Sequence, residues 1–347
     1  MNFKLILKNA FRYMSAAILI VAVGLVVSPP RIEATAKRKI CVAGYSVPGE
    51  AVMQGIAPAF ARKWATEHGG EVVEFEYSWT GSSAQARNVI AGNGADVIYL
   101  SDWSDVEQIV KAGLITQDWY AGGQGIVSQS VVVLRVPTGN PANVKLWMDV
   151  TRPGVKIVTP NPRTSGGARW NILALYGAVL KSGGNAAAAE EALRAFYRNV
   201  VVFDENARAS TQSFERGVAD VSITYENELL LRRRQGKQVD FVIPPSTIII
   251  ENPAAVVDVN SAKHGVSDIA AAFVKYLRDP VSQKVLAEFG LRPADPAVHQ
   301  KYSMRFPTSP GQFDLAYLGG GPKIYREIFE KGGLWDRIVR SERRANR

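Results

Sequence analysis

Short β-branched runs alternate with amphipathic stretches along most of this 347-residue chain. No other feature constrains its fold as tightly. Parallel strands need a long crossover between them, and a helix is the usual one. "KICVAGYSV", "EVVEFEYSW" and "ADVIYL" read as strands. Helices are expected over "EAVMQGIAPAFARKWATEH", "SSAQARNVIAG" and "WSDVEQIVKAG". "GIVSQSVVVLRV" (residues 125–136) breaks the rhythm and reads as a crossover. A second series follows: "VKIVT", a helix over "ARWNILALYGAVL", another over "AAAAEEALRAFYRN", then "VVVF", a helix through "TQSFERG", the strand "DVSITY" and the helix "ENELLLRRRQG". "VDFVIPPSTIIIENPAAVVDV" is a second long β-rich stretch suited to carrying the chain back, and one long helix is expected over "VSDIAAAFVKYLRDPVSQKVLAEFG". The fold class is therefore expected to be α/β, with two mainly parallel sheets flanked by helices. A ligand would lie in the cleft between them, at the C-terminal ends of the strands.

The N-terminus bears on compartment. Lys4, Lys8 and Arg12 precede an apolar run from Ser15 to Val27, and "ATA" ends at Ala36. This is the pattern of a secretory signal peptide, with cleavage expected after Ala36. The single cysteine, Cys41, has no partner for an intramolecular disulfide and no lipid-attachment motif before it. A net charge of +9 raises nucleic acid as a partner. However, the basic clusters at Arg232–Arg234 and in the terminal "RSERRANR" carry no interleaved aromatic residues. They read as a solvated helix face and a frayed tail, so no nucleic acid is expected.

Between "VKIVT" and its helix lies "TPNPRTSGGARWN" (residues 159–171). Ser165, Gly166 and Gly167 thus fall on a helix N-terminus, where free N–H groups and a partial positive charge face outward. Two readings stand. Serine is a preferred N-cap, and the same segment is a suitable cradle for an anion. Three further strand-to-helix turns share its character: "GYSVPGE" with Ser46, "TGSSAQ" with Ser82 and Ser83, and "DENARAST" with Ala207 to Ser210. Two such turns fall in each half of the chain, which favours the cradle.

At "NPRTSGGARWN" the sequence resembles the periplasmic sulfate- and thiosulfate-binding proteins of ABC importers. The likeness continues through "RPGVKIVTP", "ARAST" with "FERGVADV", "YENE", "GADVIYL" and "LRPADPAV", in order and over nearly all of the chain after residue 36. It implies a type II periplasmic binding-protein fold. Residues 1–36 would be the signal peptide, 37–125 the first part of lobe I, 126–245 lobe II, and 246–347 the return to lobe I with the C-terminal helices. It also implies a monomeric periplasmic carrier, without cofactor or catalysis, that delivers its anion to an inner-membrane ABC permease with its ATPase. The implied ligand contacts are the Ser165 hydroxyl, the Gly166, Gly167 and Ala207 N–H groups, and the Ser82 hydroxyl from the opposite lobe. Two positions depart from the family pattern. Ser46 stands where aspartate is common, at a position implied to donate through its backbone. Tyr225 stands where tryptophan is common, so an indole N–H becomes a phenolic O–H that both donates and accepts.

These residue types suit a fully deprotonated oxyanion, whose oxygens only accept hydrogen bonds. An all-donor site would leave the proton of hydrogenphosphate unpaired, at a cost on the order of 1–3 kcal/mol. Arg163, Arg169 and Arg208 flank the cradle and read as partners of nearby carboxylates, or as lying at the rim, rather than as partners of the ligand. Alternatives on the same architecture are a molybdate carrier and a ferric-ion carrier, the latter using Tyr45, Tyr225 and Glu226. A secreted hydrolase using Ser165 is a third. The three histidines, His68, His264 and His299, are widely spread, and no hydrolase, zinc or P-loop motif is present.

Overall fold

The computed structural model describes residues 37–345; the expected signal segment, residues 1–36, lies outside them. The strands are β1 (Lys37–Tyr45), β2 (Val72–Thr80), β3 (Val97–Tyr99), β4 (Ile126–Val136), β5 (Ile157–Pro160), β6 (Val200–Asp204), β7 (Val221–Tyr225), β8 (Asp240–Val242), β9 (Ile249–Val256) and β10 (Arg292–Pro293). They run in the order β2-β1-β3-β9-β4-β7-β5-β6, with β8 and β10 also bonded to β4. β1 lies parallel to β2 and β3, and β5 lies parallel to β6 and β7. Between these parallel groups, β4 and β9 pair antiparallel to each other. They are the two long β-rich stretches, and the chain passes between the halves through them.

Helices occupy nearly every expected stretch. The helix Gly166–Lys181 is buried along almost its whole length, so it needs cover on every side. One cover is Phe313: a Cβ at Gly177 would lie 2.3 Å from its ring. Two differences from expectation have local causes. The long helix after β9 is broken into Ser267–Tyr276 and Pro280–Glu288. Proline disfavours helix in the residue before it and suits the first helical turn, and the Asp279 carboxylate accepts from the Val281 N–H at 2.9 Å. Arg232 is not on a solvated face: it is 8% exposed and pairs with Glu215 and Glu228, leaving Arg233 and Arg234 exposed. The final helix, Leu334–Ala345, docks on the helix Ala186–Asn199, with Trp335 edge-on to Tyr197 and Glu342 bonded to Arg198 at 3.0 Å.

The two halves also meet across the cleft. The Ala84 N–H donates to the Thr164 carbonyl at 3.1 Å, and the Thr80 hydroxyl donates to Glu205 at 3.2 Å. Arg208 and Gln235 both donate to Glu50, at 3.0 and 3.1 Å. Gly81 makes the closest approach, for a Cβ there would lie 2.3 Å from the Thr164 carbonyl oxygen. Its φ of −71° suits any residue, so only the approach of the opposite half demands glycine. Gly81→Ala should therefore keep unfolding stability within roughly 0.5 kcal/mol of the parent while obstructing closure. Small-angle scattering should show the variant more expanded than the parent; equal compactness would refute this account.

Candidate functional site

Six strand ends converge on one small cavity of about 10 Å³. Tyr45 closes β1, Thr80 closes β2 and Tyr225 closes β7, while Ser101, Ser165 and Ala207 follow β3, β5 and β6. Three of these ends lead directly into helices whose first N–H groups have no partner within the helix: Ser82–Ile90, Gly166–Lys181 and Ala207–Glu215. No charged residue lines the cavity. Partial positive charge from three helix N-termini is thus directed at a space bounded by neutral groups.

Ser165 separates the capping reading from the cradle reading. It occupies the N-cap position with extended φ and ψ, yet its side chain makes no capping hydrogen bond. The residue is buried, 4% exposed, and lines the cavity with its hydroxyl uncommitted to the cap. By contrast, Asn206 caps its helix conventionally, accepting from the Ala209 N–H at 3.0 Å. Among the described residues no turn or cap acceptor takes the Gly166, Gly167 or Ala207 N–H groups.

Ser46, Ser82, Ser165, Gly167, Ala207 and Tyr225 line the cavity, whereas Gly166 sits just behind it. A Cβ at Gly166 would lie 2.7 Å from the Ser101 hydroxyl and 2.8 Å from the Asp102 side chain, so this glycine is required for close packing. The Ser82 hydroxyl is not free. It donates to Asp105 at 2.6 Å and accepts from the Ser101 N–H at 3.1 Å, which leaves its backbone N–H as the group to offer a ligand. Tyr225 is 1% exposed, and its hydroxyl has no well-formed hydrogen bond. A Cβ at Gly167 would lie 3.1 Å from that hydroxyl, which places the phenol over the cradle. Burial raises its pKa well above the ordinary tyrosine value, so it stays neutral. Sequence reasoning missed Thr80 and Ser101; each is a hydroxyl residue at the end of a strand, a signal that points to them once the strand ends are known.

The flanking arginines are occupied. Arg208 pairs with Glu228 at 2.8 Å and with Glu50 at 3.0 Å, and Arg163 lies 3.6 Å from Asp336. Arg169 is buried, 2.9 Å from Asp102 and also paired with Asp105; it donates to the Ser83 hydroxyl at 2.5 Å. Burial raises the Asp102 pKa, against the opposing pull of Arg169. Glu226 forms a two-pronged pair with Arg292 at 2.8 and 3.0 Å and does not line the cavity. The iron-carrier reading thereby loses its carboxylate. Each histidine is engaged elsewhere: His68 stacks on Trp64, His299 stacks on Phe306, and His264 lies 2.8 Å from Asp96. Ser165 has no imidazole beside it.

A family model for bacterial extracellular solute-binding proteins matches residues 42–292. A sulfate-binding protein of Synechococcus elongatus is 43% identical over 303 residues, which is 86% of either chain. A thiosulfate-binding protein of Escherichia coli is 34% identical over 293 residues, 82% of this chain and 87% of that one. Among solved structures, the sulfate-binding protein SubI from Mycobacterium tuberculosis matches with a TM-score of 0.77 at 36% identity, over 84% of this chain and 100% of that one. With its two halves around a neutral cleft, the chain belongs to the bacterial extracellular solute-binding proteins, and within them to the sulfate- and thiosulfate-binding family; it is a carrier and not an enzyme.

Proposed function

We propose that this protein captures sulfate or thiosulfate outside the cytoplasm and hands it to an ABC importer. The observation that carries the reading is the uncommitted Ser165 hydroxyl at a helix N-terminus, facing a cavity with no charged lining. The Ser165 and Tyr225 hydroxyls and the backbone N–H groups of Ser46, Ser82, Gly166, Gly167 and Ala207 supply the donors. Each is neutral and held in place before the ligand arrives, so a dianion is stabilised by oriented dipoles rather than by a counter-ion. Residues 37–125 and the return after 246 make one lobe, residues 126–245 make the other, and the last helix straps back onto the second. Residues 1–36 act as a cleaved signal peptide that places the carrier in the periplasm. The carrier works as a monomer and docks in its closed form on an inner-membrane permease with its ATPase.

Calorimetry of ligand-stripped protein against sulfate, thiosulfate and molybdate tests the reading directly. Sulfate or thiosulfate should bind one to one; binding of molybdate alone would overturn the assignment. Ser165→Ala should weaken sulfate binding by about 1.5–3 kcal/mol, the range for a hydrogen bond to a charged group. Its unfolding stability should change little, because no cap is lost. A loss of about 1 kcal/mol of stability with intact affinity would instead restore the capping role.

Lobe closure is the third expectation. Donors from both halves reach one small ion only when the cleft is shut, so the ligand favours the closed state through contacts that the open state lacks. Saturating sulfate should reduce the radius of gyration of the parent protein in solution; an unchanged radius would count against closure.

A further inference from the structure

Tyr45 and Tyr225 both line the cavity, buried, with no well-formed hydrogen bond to the hydroxyl; Tyr225 differs in having a second hydroxyl, that of Ser101, beside its own. The phenol lies over the Gly167 backbone, within the ring of donors. Backbone N–H groups can only donate. A phenol does either, provided that its own proton has somewhere to go. Ser101 supplies that place: its N–H is bonded to Ser82 and its carbonyl accepts from Trp170 at 2.6 Å, while its side-chain hydroxyl lines the cavity. With its proton turned towards Ser101, the phenol oxygen offers the cavity a hydrogen-bond acceptor. With its proton turned inward, it is one more donor. Neither state requires ionisation.

We propose that the Tyr225–Ser101 pair makes the site two-faced, so that it takes singly protonated oxyanions of the hydrogenphosphate class as well as fully deprotonated ones such as sulfate. The proposal rests on the carrier reading and deepens it. A site of donors alone leaves the ligand's proton buried without a partner, which is the penalty that rejects such an anion. The pair removes that penalty at one position and leaves the other donors unchanged.

The test is competition calorimetry with sulfate and inorganic phosphate at about pH 8, where phosphate is the monoprotonated dianion. The parent should bind both. Tyr225→Trp retains a donor and loses the acceptor, so the ratio of sulfate to phosphate affinity should rise about tenfold, the equivalent of one buried hydrogen bond. The larger indole has little room against Gly167, so Ser101→Ala is the second variant. It removes the acceptor for the phenol's proton without touching the backbone and should raise the same ratio in the same direction. An unchanged ratio in both variants, or a parent that binds sulfate and not phosphate, would overturn the proposal. A parent that binds neither anion would overturn the carrier reading itself, and the proposal with it.

Discussion

Arg169 ties the two halves of the site together. It follows Ser165, Gly166 and Gly167 on the first turn of their helix, and its guanidinium crosses to Asp102 and Asp105 in the other half. Asp105 in turn holds the hydroxyls of Ser82 and Ser83 at the start of the facing helix. Asp102 caps the helix Trp103–Lys111 and accepts from the Tyr325 hydroxyl at 2.6 Å. Desolvating such ions costs several kcal/mol each, so the cluster is poor evidence of stability in itself. What it supplies is position. One guanidinium sets the separation of two helix N-termini that face the same cavity, and its charge-assisted hydrogen bonds leave little freedom in that separation.

The same cluster shows where sequence reading stops. The alternation of strands and helices was legible because it depends on local periodicity, and the two long β-rich stretches were legible because they broke it. The placement of Ser165, Gly166 and Gly167 at a helix N-terminus was legible because strand, turn and helix are contiguous. The role of Ser82 was not. Its hydroxyl is claimed by Asp105, 23 residues further along the chain, and nothing in "TGSSAQ" announces that partner. Arg232 is a similar case: "RRR" reads as a solvated run, yet one residue of the three turns inward to Glu215 and Glu228. Thr80 and Ser101 stayed hidden because their importance depends on which strand ends meet, and that is a property of the sheet order.

Charge is present close to the cavity but kept out of it. Arg169 and Arg208 each stand within two residues of a cradle N–H, and each is turned to carboxylates. A guanidinium in the cavity would bind almost any anion strongly and discriminate little by shape. Oriented N–H groups instead demand that oxygens fall in particular directions. Selectivity then depends on a side chain able to reverse its hydrogen-bonding sense, and Tyr225, with Ser101 beside it to take its proton, is the candidate here. The departure from tryptophan at position 225 therefore alters what the site can recognise more than how much positive potential it presents.

The contacts between the halves bear on how the cleft responds to its ligand. Ala84 to Thr164, Thr80 to Glu205, and Glu50 to Arg208 and Gln235 join the two halves around the cavity. Most involve exposed or half-buried groups, for which a net contribution of about 0.5–1.5 kcal/mol per hydrogen bond is the appropriate scale. Together they offset part of the cost of closing. A ligand shifts the equilibrium only by its preference for the closed form. A site divided between two halves maximises that preference, because in the open form each half retains only its own share of the donors. On the proposed function, dividing the cradle between lobes would make capture and closure one event, and would give a transporter a shape by which to tell a loaded carrier from an empty one.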